Sequence, residues 1–304
     1  MDRPTIILNL PYGRLGNRLR LYSNLIAFAI NHQVRVINLS FFEYYKYFKT
    51  TQNSPVPIYP DDEKLSITEV LFIKLVIIIF RLLSIFGDYG INKLYYLLNL
   101  YFITFYKSKI FSKDKYPKIS LSDPEFLKIL ENNKTIVLQS WEHTYTPFFR
   151  FAEDIRSYFV PTDSHMSLVN QIIEMARSKC DILVGVHIRH GDYKWYHNGM
   201  YFFSAEEYYA VMKKLLKYFP DSTKIIFLVC SDEKQDFTFP NLEVVFGTNH
   251  LIEDLYLLSK CDYIIGGAST YNSWASFYGC VPVYHLTDLN ADIEFSTIYY
   301  SSDS

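Results

Sequence analysis

The chain lacks several features that would place it in large protein classes. Its 304 residues include only four cysteines, Cys180, Cys230, Cys261 and Cys280, with no Cys-x-x-Cys pair and no metal-ligand spacing. That argues against a disulfide scaffold or a zinc module and fits a reducing compartment. Each cysteine lies in or beside an apolar run and is expected to behave as a small buried hydrophobe. There is no basic excess: the formal charge is −2, where a nucleic-acid binder would carry a surplus of Lys and Arg. No internal repeat or low-complexity tract is present. Met1-Asp2-Arg3-Pro4 runs directly into a strand-like segment, so no signal peptide is expected and the compartment read from the sequence is the cytoplasm.

Apolar residues make up 49% of the chain, with 27 Tyr and 24 Phe, enough to build a large core in two domains. Most of these rings are expected in that core. Two dense stretches, Val70–Phe86 and Leu94–Tyr106, flank Gly87-Asp88-Tyr89-Gly90. Neither reaches the roughly 20 uninterrupted apolar residues of a spanning helix. They read as a helical hairpin packed on the protein, within an insertion at about residues 66–118. The alternative is a peripheral membrane contact through residues 70–106 on the cytoplasmic face, where Lys107, Lys109, Lys113, Lys115 and Lys118 would suit an anionic lipid surface.

Along the chain, apolar runs alternate with helical spacing. Thr5–Leu10 reads as a strand, Pro11–Asn17 as a turn-rich loop, Arg18–Asn31 as a helix and Val34–Leu39 as a strand. This is a β–Gly-loop–α–β opening. Gly13 and Gly16 give the loop two glycines, one short of the dinucleotide fingerprint, and Asn17 and Arg18 add polar reach. Proline-rich Thr50–Asp62 is a connector, Ser122-Asp123-Pro124-Glu125 starts a helix, Thr135–Ser140 is a strand and Phe148–Phe159 a helix. A boundary is expected at Pro161. Beyond it, helices at Ser164–Lys179, Ser204–Phe219 (opened by a Ser204–Glu207 capping box), Ile252–Lys260 and Tyr271–Tyr278 alternate with strands. Those strands are Ile182–Ile188, Ile225–Cys230, Val244–Phe246, Tyr263–Ile265 and Val281–Tyr284. The pattern implies an α/β protein of two Rossmann-like lobes facing a cleft, residues 1–160 and 161–304.

Three strand ends in the second lobe carry polar clusters, and a parallel sheet would project all three from one edge. The first is His187-Ile188-Arg189-His190-Gly191-Asp192. The planar fork of Arg189 matches a phosphate, although a structural Arg189–Asp192 ion pair explains the same residues. The second is Ser231-Asp232-Glu233, and the third Gly266-Gly267-Ala268-Ser269-Thr270. Ser269 and Thr270 would meet phosphate oxygens at a helix N-terminus or serve only as an N-cap.

The ordered set resembles the GDP-fucose-dependent fucosyltransferases, closest to the α-1,2 family and related to the α-1,6 and protein O-fucosyltransferases. Gly13-Arg14-Leu15-Gly16-Asn17-Arg18 is similar to their Gly-Gly-Leu-Gly-Asn-Gln loop. His187–Asp192, followed by Tyr193, resembles their His-x-Arg-Arg-x-Asp motif. Ser231-Asp232, Asp254-Leu255 through Cys261, and Ser269–Ala275 resemble further family segments. The matches cover the first 40 or so residues and roughly 180–285; the middle is unmatched.

The resemblance implies a GT-B-like fold and inverting, metal-independent transfer of L-fucose from GDP-β-L-fucose to a glycan. The acceptor it suggests is the 2-hydroxyl of galactose on an oligosaccharide or lipid-linked glycan, with the first lobe (residues 1–160) and its insertion shaping the acceptor side and the second lobe (161–304) binding the GDP-sugar. No cofactor is implied beyond the donor, and no metal: Asp-x-Asp, by which many glycosyltransferases hold one, does not occur in the chain. Arg189 would neutralise the leaving diphosphate. Asp192 joins it in the catalytic pair, orienting Arg189 or its loop. Gly13, Gly16, Asn17, His187, His190, Ser231, Asp232, Ser269 and Thr270 complete the donor site, with Asp232 on the guanine or ribose side. Glu142, His143, Asp192 and Glu233 are the candidates for catalytic base. His190 stands where the family carries a second arginine, which leaves another GDP-sugar, or nucleotide-sugar or glycan binding without turnover, as alternatives. Arg189-His190-Gly191 is also the histidine-phosphatase triplet, but it lies mid-chain, and His197, His250 and His285 have no adjacent acid.

Overall fold

The computed structural model describes residues 3–9, 13–61, 68, 69, 71, 75, 103–106, 118–138 and 142–296. The chain divides into two compact units, residues 1–13 with 21–160 and residues 14–20 with 161–304.

In the first unit, β1 (Thr5–Leu8), β2 (Arg35–Asn38), β3 (Ile58–Tyr59), β4 (Ile103–Tyr106) and β6 (Thr135–Leu138) form a sheet in the order β3-β2-β1-β6-β4. Every pairing is parallel except β2 with β3. The helix α1 (Leu15–His32) starts three residues before its expected onset. The sequence between β3 and β6 brings a correction. Helical spacing is expected through Leu94–Tyr106, yet Ile103–Tyr106 is a strand pairing in parallel with β6. Ile-Thr-Phe-Tyr is β-branched and aromatic throughout, and a neighbouring strand decides for such a run what periodicity leaves ambiguous. The remainder of the expected hairpin lies outside the described residues, apart from the helical positions Leu71 and Leu75; Thr68 and Glu69, just before it, are helical too. Among the described residues, no helix is long and apolar enough to cross a membrane.

Short β5 (Lys118–Ser120) and β7 (Glu142–Thr144) pair in parallel. Between them α2 (Pro124–Asn132) is capped by Asp123, whose carboxylate accepts the Glu125 N–H at 2.8 Å. The expected helix over Phe148–Phe159 is a 3₁₀ turn, Phe148–Phe151, leading into α3 (Ala152–Tyr158). Much of the aromatic content is spent in this unit's core. Tyr22 packs edge-on against Tyr158 and Phe159, and Phe159 meets Phe48 at 5.4 Å. Each such ring, once buried, is worth about 1.5–3 kcal/mol relative to an exposed one.

The second unit holds α4 (Asp163–Arg177), β8 (Ile182–Ile188), α5 (Ala205–Leu216), β9 (Ile225–Ser231), β10 (Glu243–Phe246), α6 (Glu253–Leu258), β11 (Tyr263–Gly267), α7 (Thr270–Gly279) and β12 (Val283–Leu286). The α5 capping box forms: the Ser204 hydroxyl accepts the Glu207 N–H, and Glu207 Oε2 accepts the Ser204 N–H at 2.6 Å. All strands run parallel, in the order β10-β9-β8-β11-β12. From β8 the chain adds β9 and β10 on one side, then returns to add β11 and β12 on the other. The sheet's switch point therefore lies between β8 and β11, and open α/β sheets bind ligands outside the carboxyl ends of the strands there. Cys230 and Cys261 are buried as expected, and all four cysteines are free. Cys280 differs: it caps α7 in the left-handed region (φ 54°) and is exposed.

Candidate active site

The switch point falls between the first and third polar clusters, with the second at the end of neighbouring β9. Arg189 follows the last residue of β8. Its Nη2 donates to Asp192 Oδ1 at 2.6 Å, and its Nε lies 3.2 Å from the same oxygen and 3.1 Å from Asp232 Oδ2. The expected ion pair with Asp192 is therefore formed, but it is one arm of a fork. Nη1 takes no part in these contacts. Tyr193 lies beneath the guanidinium, 5.2 Å from ring centroid to Cζ. The other Asp192 oxygen, Oδ2, sits 3.5 Å from Arg14 Nη2, which adds a second guanidinium. Burial alone would raise the Asp192 pKa; hydrogen bonding and charge from Arg189, helped by Arg14, outweigh it and hold the carboxyl below its usual range.

Asp232 is the hub between strand ends. Its Oδ1 accepts the His190 N–H at 2.9 Å while Oδ2 meets Arg189. A Cβ on Gly191 would sit 2.5 Å from that Oδ2, so the glycine at 191 makes room for the chain's own carboxylate. The His190 ring is held by other partners: its Nε2 donates to the Phe203 carbonyl at 3.0 Å, and Gln235 Nε2 approaches its Nδ1 at 3.5 Å. The Ser231 hydroxyl accepts from Gln235 and from the Glu233 N–H.

His187 is buried in β8 against α7. Asn272 Nδ2 donates to the Gly267 carbonyl at 2.7 Å, which turns Asn272 Oδ1 toward His187 Nδ1 at 2.6 Å. An amide oxygen only accepts, so Nδ1 carries the proton and Nε2 keeps a lone pair. Burial, reinforced by the Arg189 charge, lowers the His187 pKa to about 4, and the ring stacks on Tyr271 at 4.7 Å. A neutral imidazole of this tautomer accepts a hydrogen bond at Nε2, as from a hydroxyl.

At the end of β11, Ser269 caps α7, its hydroxyl accepting the Asn272 N–H. Thr270 Oγ1 and the backbone of Thr270 and Tyr271 lie 2.7–2.8 Å from where a Cβ on Gly16 would be. Gly16 thus lets the first turn of α1, with half-buried Asn17, seat directly on the N-terminus of α7. Gly13, just before it, takes φ +66°, a conformation that glycine adopts without strain.

The structure so groups Arg189, Asp192, His187 and Asp232, and separately Gly16 with Thr270. Of the candidate bases, His143 is 1% exposed in the first unit and bonds the Leu21 carbonyl at 2.7 Å through Nε2. That contact ties the ring to the first unit's core. The Glu142 side chain lies outside the described part of the chain, and Glu233 sits 3.6 Å from Lys194 Nζ. Sequence reasoning overlooked two partners: Tyr208, on α5, whose hydroxyl accepts the Gly267 N–H at 3.2 Å, and Arg14 as the companion of Asp192. A Tyr in a helix and an Arg in a loop carry no local sign of such contacts. One set of residues able to hold a cation occurs among the described residues, His165, His250 and Glu253, with His165 Nδ1 2.8 Å from Glu253 Oε1. It shares no member with the Arg189 group. The expectation that His250 has no adjacent acid is thereby qualified, because Glu253, three residues along, lies 3.9 Å from its Nδ1.

Two α/β units, each on a mainly parallel sheet, with a polar switch point in the second, define a GT-B-like protein. Among solved structures of this fold is an arginine-to-lysine mutant of Arabidopsis thaliana FUT1 in complex with GDP (TM-score 0.57, 13% identity, covering 94% of this chain and 71% of that one). Another is the fucosyltransferase NodZ from Bradyrhizobium (TM-score 0.53, 14% identity, 97% and 98%). No curated protein sequence matches significantly. The profile of glycosyl transferase family 11 matches residues 99–300. The chain belongs to that family.

Proposed function

We propose that the protein transfers L-fucose from GDP-β-L-fucose to a glycan hydroxyl, the 2-hydroxyl of a galactose, with inversion and without a metal. One observation carries the donor side: Arg189, held in a fork between Asp192 and Asp232 at the switch point of a parallel sheet. A guanidinium fixed before substrate arrives stabilises charge as it develops on the leaving group, with no reorganisation at that moment. In the step itself the bond from fucose C1 to the β-phosphate oxygen breaks and its electron pair leaves on GDP. The acceptor oxygen bonds C1 from the opposite face and loses its proton to a base or to water. Asp192, its pKa held down by Arg189, is a weak base and fits the orienting role. His187 Nε2 suits a donor hydroxyl. GDP in the Arabidopsis relative's complex supports the nucleotide. The acceptor, an oligosaccharide or lipid-linked glycan, and a peripheral membrane contact through residues 70–106, belong to the same proposal.

Calorimetric titration in EDTA with GDP, GDP-fucose, GDP-mannose and UDP tests it. GDP and GDP-fucose should bind and UDP should not. Arg189→Ala should weaken GDP by about 100-fold, the scale of truncating one partner of a hydrogen-bonded charge pair. A chain that binds no guanine nucleotide would return Arg189 and Asp192 to a purely structural pair. The orientation of His190 toward Phe203 favours a second reading in which another GDP-sugar is the donor; tighter binding of GDP-mannose than GDP-fucose would select it.

A further inference from the structure

Directly after Asp192 the chain makes an aromatic loop, Tyr193-Lys194-Trp195-Tyr196-His197-Asn198-Gly199-Met200-Tyr201. Tyr193, Tyr196 and Tyr201 lie mutually about 6 Å apart, Tyr196 nearly parallel to Tyr193 (5.9 Å, 17°). Three consecutive residues, His197, Asn198 and Gly199, take positive φ (46°, 58° and 77°). Left-handed backbone at the non-glycine residues His197 and Asn198 costs energy and persists where the surroundings impose it. Beside this base, Trp195 is 82% exposed and Met200 69%. Trp195 stacks on no other ring among the described residues. Single exposed apolar residues are common, but clustered ones mark binding surfaces, and Trp195, Tyr196 (47% exposed) and Met200 fall within six residues of one loop.

The position of the loop says what covers it. Tyr193 lies under the Arg189 guanidinium and donates to the Ala268 carbonyl (3.4 Å), so the loop is tied to both strand ends flanking the switch point. A loop that begins under Arg189 and exposes Trp195 and Met200 beside tyrosine hydroxyls and Lys194 suits the C–H face of a pyranose with its equatorial hydroxyls at the edge. We propose that Trp195, with Tyr196 and Met200, is the platform on which a sugar ring of the acceptor glycan stacks. This rests on the transferase reading and adds to it where the acceptor lies.

Steady-state kinetics with GDP-fucose and a panel of lactose, N-acetyllactosamine and methyl β-galactoside tests the platform in wild type, Trp195→Ala and Trp195→Phe. Trp195→Ala should raise the acceptor KM by about tenfold or more, the scale of truncating one aromatic anchor of a binding surface. Trp195→Phe should restore most of it. GDP affinity and the slow hydrolysis of GDP-fucose should be unchanged in both. Saturation-transfer NMR of the same sugars against wild type and Trp195→Ala gives a second readout that needs no turnover. An unchanged acceptor KM, equal saturation transfer to the sugars from wild type and variant, or a parallel fall in GDP affinity would each overturn the platform. So would binding to anionic phospholipid vesicles, or a dimer, that Trp195→Ala abolishes, since either assigns the surface to another occupant. Failure of the donor reading would appear separately, as absent GDP binding in the wild type.

Discussion

His187 shows how far one residue's environment can depart from its sequence context. With the folded pKa near 4 and the unfolded value near 6.5, the unfolded chain binds the extra proton first as pH falls. His187 thus contributes stability that is fully present above pH 6.5 and is lost between pH 6.5 and 4, at up to about 1.4 kcal/mol per pH unit. In urea unfolding at pH 7.5, 6, 5 and 4.5, the advantage of the wild type over His187→Gln should shrink steadily toward acid. A constant difference would show that the ring is not buried neutral. Gly191 gives a second prediction at this scale. In Gly191→Ala the new methyl group meets Asp232 Oδ2, the oxygen that braces Arg189. GDP affinity should fall about tenfold or more while stability changes by about 1 kcal/mol, since a single side-chain end can move aside. Titration alongside unfolding separates the two effects.

Among elements, the contact of α1 with α7 is the one most exposed to change. At Gly16 the obstruction is backbone, the Tyr271 nitrogen at 2.7 Å and the Thr270 carbonyl carbon at 2.8 Å, which cannot rotate away. Gly16→Ala should therefore cost about 2–3 kcal/mol of stability, more than Gly191→Ala, and should also weaken GDP binding. Equal stability of the two variants would deny that α1 seats on the α7 N-terminus. The elements of the second unit were legible in sequence because short apolar runs bounded by turn residues alternate with stretches of helical spacing, some of them opened by a start signal. Ser204 with Glu207 is the clearest, and both its hydrogen bonds are made. Ile103–Tyr106 was not legible as a strand: four β-branched and aromatic residues are too few to set a period, and only pairing with β6 decides their state.

For the molecule as a whole, two units with separate sheets mean that a ligand of one leaves a local signature. Hydrogen exchange with GDP at 100 times its Kd, where binding adds about 2.7 kcal/mol to the unit that holds it, should protect residues 187–193, 231–233 and 268–273. The amides of β1 and β2 should change least. Protection confined to the first unit would refute the donor site. The family itself was readable from the order of short motifs, although the Gly13–Arg18 loop lies outside the segment, 99–300, that carries the family match.

What the sequence by itself determined is the alternation of strands and helices, the two α/β units, and three polar strand ends with Arg189 among them. These follow from local patterns of apolar residues, glycines and caps, which act over a few positions along the chain. Only the tertiary structure decided which of those polar groups meet. Asp232 bridges to Arg189 and to the His190 amide, Asn272 sets the His187 tautomer, and His190 and Ser231 turn to partners inside the protein. Most of these contacts join residues dozens of positions apart, and strand order brings them together. That order depends on how whole sheets pack, which no local pattern encodes.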